Sequence, residues 1–163
     1  MIAQHQTVFK EDLANKKIKV TREFDAPVDK VWRAWTEPAL LDKWWAPKPW
    51  KAVTKSMDFR EGGKWLYYMQ GPEGEKHHCI CEYKTIDPEK NFTGTDAFTD
   101  EEGKVNEEMP QMNWDVSFRE QGNSTLVEVM ITFASEEAMK QTIEMGFKDG
   151  FAAAHSNLDE LLS

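Results

Sequence analysis

The residues with the clearest potential for chemistry are the histidines and cysteines of segment 77–81. His77, His78, Cys79 and Cys81 are all residue types that bind zinc. Alternate side chains of a strand point to opposite faces, so the first histidine and both cysteines share one face. Three ligands on one straight strand span about 13 Å, too far for a tetrahedral zinc ion. The spacing therefore predicts no metal and no cofactor here.

The same spacing bears on the cellular compartment. Cys79 and Cys81 are the two cysteines of the chain, and they lie too far apart on a strand for an unstrained disulfide. Free thiols are typical of reducing compartments. The N-terminus has no basic start followed by an apolar run, and no stretch approaches the roughly 18 apolar residues of a membrane span. These observations predict a cytoplasmic protein.

Catalysis would need polar side chains at a pocket, because the sequence has neither a glycine-rich phosphate loop nor a Gly-x-Ser-x-Gly motif. His155, Tyr67 and Tyr83 are candidates for an acid or base acting on a bound polyketide-like molecule. A solvated position on a helix flank is the simpler interpretation of His155. The sequence gives no reason to pair any two of the carboxylates.

Charge and aromatic content narrow the class of partner. The chain has 29 acidic and 20 basic residues, a formal charge of −9, which argues against nucleic acid and membrane surfaces as partners. It also has seven Trp and nine Phe. Side chains of this size are hard to pack without gaps, so a cavity would not be surprising.

Hydrophobic periodicity predicts the elements that position these residues. Residues 1–16 are polar without a period and are interpreted as an N-terminal tail. Residues 17–24 alternate as a half-buried strand, with Arg22 as a charged exception on its apolar face. Two short helices follow, separated by Pro38. Alternation and turns between 52 and 133 then predict further antiparallel strands.

A long final helix is predicted over 136–162, roughly 40 Å in length, with Ser135 as its N-cap. Gly146 and Gly150 lie on its apolar side, where each costs about 1 kcal/mol relative to Ala. Three explanations remain open: a kink or break, close contact with a strand, or empty volume beside the helix.

Empty volume would create an apolar pocket between the helix and the strands. Trp45 and Trp50 lie on a proline-rich loop and are candidates for a lid or mouth. Met side chains on the strands suit an adaptable wall. The predicted ligand-binding residues are Trp45, Trp65, Tyr67, Met69, Met112, Trp114, Phe147, Gly150, Phe151, Ala154 and His155.

Several segments resemble one known family. They are 24–38 (FDAPVDKVWRAWTEP), 41–47 (LDKWWAP), 57–65 (MDFREGGKW), 69–74 (MQGPEG) and the closing helix within 145–162. The sequence is thereby similar, over about 17–162, to the activator of heat-shock-protein-90 ATPase homologue-like family of the START-like (SRPBCC) superfamily.

The resemblance implies an α+β helix-grip fold, in which a curved antiparallel sheet of about seven strands surrounds a long C-terminal helix and two short helices follow the first strand. It implies one START-like domain over 17–163 after the tail. Superfamily members enclose a hydrophobic cavity for lipids, sterols, hormones or polyketides, and a few catalyse cyclisation or dehydration. The eukaryotic chaperone activator uses a separate N-terminal domain, for which the residues before the first strand leave no room.

Three functions follow as hypotheses. The first is binding of a hydrophobic small molecule in the cavity. The second is a protein-interaction or co-chaperone-like module, including self-association, which predicts an exposed apolar patch around Trp45 and Trp50. The third is a polyketide cyclase/dehydratase-like enzyme.

Overall fold

The computed structural model describes residues 6–163, and within them eight strands and four helices. The elements are β1 Val8–Asp12, β2 Lys17–Phe24, α1 Val28–Thr36, α2 Pro38–Trp44, β3 Lys51–Met57, β4 Lys64–Gln70, β5 Lys76–Asp87, β6 Asn91–Thr99, β7 Met112–Gln121, β8 Ser124–Phe133, α3 Glu136–Glu144 and α4 Phe147–Leu162.

The strands form a single antiparallel sheet in the order β1-β2-β8-β7-β6-β5-β4-β3. The register shifts between Thr54 and Ser56 on β3 and between Tyr83 and Thr85 on β5. Irregularities of this kind bend a strand locally and increase its twist. The predicted α+β class, the antiparallel sheet and the C-terminal helix are confirmed. The two short helices predicted after the first strand follow β2, because β1 precedes the predicted first strand.

The N-terminal region differs from the predicted tail. Residues Val8–Asp12 form β1 and pair with β2, which brings the sheet to eight strands instead of about seven. The half-buried Phe9 packs edge-on against Phe147, with ring centroids 6.3 Å apart. Strand β1 is an edge strand of the sheet, and apart from Phe9 it is held mainly by backbone pairing to β2, which requires no hydrophobic period. Residues 1–5 of the predicted tail lie outside the described residues.

The C-terminal helix is divided into α3 and α4, which differs from the continuous helix predicted over 136–162. Gly146 stands between them with φ of 89°, a left-handed conformation that favours glycine. The break between α3 and α4 therefore explains why a glycine occupies position 146. Ser135 caps α3 as predicted, because its hydroxyl accepts a hydrogen bond from the Ala138 N–H at 3.0 Å.

Helix α4 is attached to the sheet and to the proline-rich loop by polar contacts. Arg22, the charged exception on β2, is only 4% exposed and forms an ion pair with Asp159. Its guanidinium also donates to the backbone oxygen of Glu23 at 2.7 Å. At the other side of α4, the Asn157 amide donates to the backbone oxygen of Ala46 at 3.0 Å. These contacts hold α4 over the apolar face of the sheet.

Candidate ligand-binding site

A cavity of about 240 Å³ lies between α4 and strands β4 to β7. An engineered cavity of roughly 150 Å³ in another protein holds a benzene molecule, so the space is large enough for a small organic compound. Its walls are mainly aromatic rings and methionines. The lining residues are Trp45, Pro47, Tyr67, Met69, Cys79, Asp96, Phe98, Met112, Trp114, Thr142, Met145, Gly146, Phe147, Gly150 and Phe151.

Two periodicities bring these residues together. Alternation on each strand turns every second side chain toward α4, as for Tyr67 and Met69 on β4. On α4, spacings of three and four residues place Phe147, Gly150 and Phe151 on one face. A Cβ added to Gly150 would meet only Pro47 within 4 Å, at 3.8 Å, so the glycine leaves open space beside the helix.

Most of the predicted binding residues lie at this cavity, although their contact with a ligand stays a prediction. The strands and the proline-rich loop supply five of them, and α4 supplies the other three. These residues are Trp45, Tyr67, Met69, Met112, Trp114, Phe147, Gly150 and Phe151.

The other three predicted residues lie deeper or apart. Trp65 stacks on Tyr67 with ring centroids 3.9 Å apart and lines a second, small cavity of about 30 Å³. Ala154 is buried farther along α4. His155 is also buried and does not line the larger cavity.

The interpretation of His155 as a solvated histidine is wrong. Its side chain is 1% exposed, its ring centroid lies 4.2 Å from that of Phe151, and its Nδ1 lies 2.9 Å from the hydroxyl of Thr7. Burial lowers the pKa of His155 to about 3, and the charge of Arg22 acts in the same direction. The imidazole is therefore neutral at physiological pH and belongs to the core.

Trp45 forms the central part of the cavity wall. Its ring lies within about 6 Å of the rings of Trp65, Trp114 and Phe151. Trp50 is half-buried and packs on His77 with ring centroids 5.3 Å apart, away from the cavity lining. The expected exposed patch around these two tryptophans is absent from the described part of the chain.

Asp96 is the functional candidate that the sequence analysis missed. Its carboxylate lies where the two cavities meet, and it accepts hydrogen bonds from Tyr67 Oη at 3.3 Å and from the backbone N–H of Ala97. Burial raises the pKa of Asp96 to about 7, a larger effect than the lowering by these two hydrogen bonds. Alternation with Phe92 and Phe98 on β6 was the available signal that it faces inward.

A short chain of hydrogen bonds leads to this carboxyl. The indole N–H of Trp45 donates to Tyr67 Oη at 3.2 Å, and the Tyr67 hydroxyl donates to Asp96. Burial raises the pKa of Tyr67 well above its ordinary value, so the hydroxyl keeps its proton. Asp96 is therefore oriented by a donor and can accept further hydrogen bonds, or donate one when it is protonated.

The thiols of Cys79 and Cys81, near Asp96, are neither activated as nucleophiles nor arranged as metal ligands. Cys79 and Cys81 are buried and free, and burial, with a contribution from Asp96, raises the pKa of both thiols. Among residues 6–163, no three His, Cys, Asp or Glu side chains are grouped in a way that could hold a metal ion.

The architecture defines the class of protein. An antiparallel sheet that packs against a C-terminal helix, with two short helices after the first long strand, is the helix-grip fold of the START-like (SRPBCC) superfamily. Domains with this fold commonly bind ligands. Within the described residues, no helix is both long enough and apolar enough to cross a membrane.

Residues 25–163 match the family model described as activator of Hsp90 ATPase homolog 1-like protein, and the chain belongs to this family. A crystal structure of protein Ms6760 from Mycobacterium smegmatis is 34% identical, with a TM-score of 0.89 and 97% of each chain covered. A solution NMR structure of a protein from Arthrobacter aurescens is 33% identical, with a TM-score of 0.90, over 95% of this chain and 90% of that chain. No curated protein matches the chain significantly.

A more distant structure, CalU16 from Micromonospora echinospora, is 21% identical, with a TM-score of 0.64 over 99% of this chain and 87% of that chain. At this identity the likeness concerns the fold alone.

Proposed function

We propose that the chain binds a hydrophobic small molecule in the cavity between α4 and the sheet. The observation that carries the proposal is a space of about 240 Å³ bounded by aromatic rings and methionines. Apolar walls with a few polar groups are typical of small-molecule sites. The frequent ligand-binding role of the superfamily supports the same conclusion.

Access to the cavity is supported by the rim at the turn between α3 and α4. Met145 is 51% exposed and Gly146 is exposed, and both border the cavity. A ligand entering here would pass between this turn and Pro47. The reduced thiols of Cys79 and Cys81 support a cytoplasmic location for this binding protein.

Titration with N-phenyl-1-naphthylamine, a neutral apolar dye that fluoresces in dry surroundings, tests the proposal. The wild-type protein should enhance its fluorescence with saturation at one equivalent, and native mass spectrometry should show the one-to-one complex. Gly150→Leu places a side chain in the open space beside Pro47 and should weaken dye binding at least tenfold. Leucine is also the better helix former by nearly 1 kcal/mol, so the fold should be retained.

Ser156→Leu is the matched control, because Ser156 is exposed on the same helix and does not line the cavity. It should bind the dye as the wild-type protein does. The absence of dye uptake by the wild-type protein, or equal uptake by the Gly150→Leu variant, would contradict binding at this cavity.

Acid–base catalysis is a second candidate, favoured by the Asp96 carboxyl. A pKa of about 7 allows the group both to accept and to give a proton near neutral pH. Asp96 takes this role in place of His155, which does not line the cavity. An acid–base site should accelerate deuterium exchange at the carbon next to the carbonyl of 2-tetralone, measured by NMR in D₂O. Equal exchange rates with the wild-type protein and with Asp96→Asn would exclude this role.

A further inference from the structure

The charge of the cavity is carried by one residue. Among the described residues that line it, Asp96 is the only one of the Asp, Glu, Lys, Arg and His types. A carboxylate in an apolar cavity lacks the solvation that it has in water, so its ionised form is stabilised only by a partner of opposite charge or by hydrogen bonds.

The neighbouring elements do not supply that opposite charge within residues 6–163. The titratable groups near Asp96 are Tyr67 on β4 and Cys79, Cys81 and Tyr83 on β5, and burial raises the pKa of all four, which keeps them neutral. Met112 on β7 lies opposite Asp96 in the register and carries no charge. The α4 residues at the cavity are Phe147, Gly150 and Phe151, which are also uncharged.

Three aromatic rings surround the same space. The ring centroids of Trp45 and Trp114 lie 5.8 Å apart, and the ring of Phe151 lies 6.1 Å from the first and 5.5 Å from the second. The faces of aromatic rings attract cations, and tryptophan does so most strongly. A cation held within about 6 Å of one of these ring faces would be favoured by the walls as well.

We propose that the ligand of this cavity is a lipophilic amine, whose ammonium group donates a hydrogen bond to Asp96 while its apolar body packs against the rings of Trp45, Trp114 and Phe151. The inference rests on the proposed function and adds the chemical class of the ligand. The formal charge of −9 on the chain also attracts cations from a distance.

The competing arrangement has a protonated Asp96 that donates to a neutral carbonyl or hydroxyl group. The two arrangements depend on pH in opposite directions, since an ammonium group requires the carboxylate. With a pKa of about 7, the ionised fraction of Asp96 falls from about 0.9 at pH 8 to about 0.03 at pH 5.5, roughly 30-fold.

Isothermal titration calorimetry with three matched probes distinguishes these arrangements. The probes are 2-(1-naphthyl)ethylamine, 2-(1-naphthyl)ethanol and 1-naphthylacetate, which share one ring system and differ in charge. Each is titrated into the wild-type protein, Asp96→Asn and Asp115→Asn at pH 8 and pH 5.5. Asp115→Asn is the matched control, because Asp115 is exposed on β7 and does not line the cavity.

The amine should bind the wild-type protein at least tenfold more tightly than the alcohol at pH 8, and the anion should bind weakest. Between pH 8 and pH 5.5 amine binding should weaken by 10-fold or more, whereas alcohol binding should stay within about twofold. Asp96→Asn should remove the preference for the amine, and Asp115→Asn should keep it. The wild-type pH series needs no variant and tests the inference even where a variant folds poorly.

An alcohol or anion that binds as tightly as the amine at pH 8 would overturn the inference, as would an amine preference that persists in Asp96→Asn. The proposed function would still stand in both cases, because a probe has bound. If neither the three probes nor N-phenyl-1-naphthylamine binds the wild-type protein, the proposed function itself fails.

Discussion

Asp96→Asn tests the half-buried carboxyl at the cavity through the dependence of protein stability on pH. Asn has the shape of Asp, and its side-chain oxygen can accept the hydrogen bond from Tyr67. The substitution therefore removes the ionisation of Asp96 and retains its packing. The variant should differ from the wild-type protein mainly where Asp96 is charged.

The magnitude follows from the pKa of Asp96, about 7 in the folded chain against an ordinary value of 3.8. Because the folded-state pKa is the higher one, the folded protein binds more protons between these values, and its stability falls as the pH rises. The destabilisation is absent well below pH 3.8, grows up to about pH 7 and is constant above it. At about 1.4 kcal/mol per pKa unit, the loss between pH 5 and pH 8 is roughly 2–3 kcal/mol.

Urea unfolding followed by tryptophan fluorescence measures this loss. The free energy of unfolding of Asp96→Asn minus that of the wild-type protein should increase by roughly 2–3 kcal/mol between pH 5 and pH 8. Groups such as His155, whose lowered pKa makes stability fall with decreasing pH, contribute equally to both proteins and cancel in the difference.

Asp115→Asn again serves as the control, since Asp115 is exposed to water on the other face of the sheet. Its difference from the wild-type protein should be the same at both pH values. A difference for Asp96→Asn that is equally constant would refute the reasoning, because the carboxyl would then ionise as freely as one in water.

Further predictions concern the free energy of unfolding, which urea unfolding measures, and the chain of hydrogen bonds from Trp45 to Asp96. Gly146→Ala should destabilise the protein by about 1 kcal/mol because of its left-handed backbone, whereas Gly150→Ala should stabilise it by a similar amount. Equal signs for the two would contradict the break between α3 and α4. Arg22→Ala should destabilise the protein by about 1–3 kcal/mol, because it removes a buried side chain and its ion pair with the partly exposed Asp159, and Arg22→Met, which refills the volume, should cost clearly less. Trp45→Phe removes the indole donor to Tyr67 but keeps an aromatic wall, so it should weaken binding of N-phenyl-1-naphthylamine by less than tenfold; a complete loss of binding would contradict its role as one wall among several.

Much of the sheet was predictable, because the alternation of apolar and polar side chains along a strand does not depend on the details of packing. The alternation of Trp114 and Val116 on β7 with that of Val127 and Val129 on β8 identified a hairpin, and the structure pairs these strands in register. Strand β1 was not predictable in this way. An edge strand can be held by its backbone hydrogen bonds alone, and these bonds do not require alternation of apolar and polar side chains in the sequence.

The candidate site also has residues that were predictable from the sequence and one that was not predicted. Residues at the cavity such as Tyr67, Met69 and Phe151 were predictable from strand and helix periodicity, which determines the face of an element. Asp96 was missed because a polar residue within a strand ordinarily faces water. Alternation with Phe92 and Phe98 indicates its face, and the register that places it opposite Cys81 and Met112 shows which residues surround its carboxyl.

The family, the order of the elements from β2 to β8 and the apolar faces that meet were evident from the sequence, since these depend on local periodicity and on runs of matching residues. The tertiary structure alone decided that the C-terminal helix is broken at Gly146 and that His155 is buried. It also decided that open space lined by one carboxyl lies beside Gly150. Cavity volume and pKa depend on distances between elements remote in sequence, and side-chain pattern along the chain does not specify those distances.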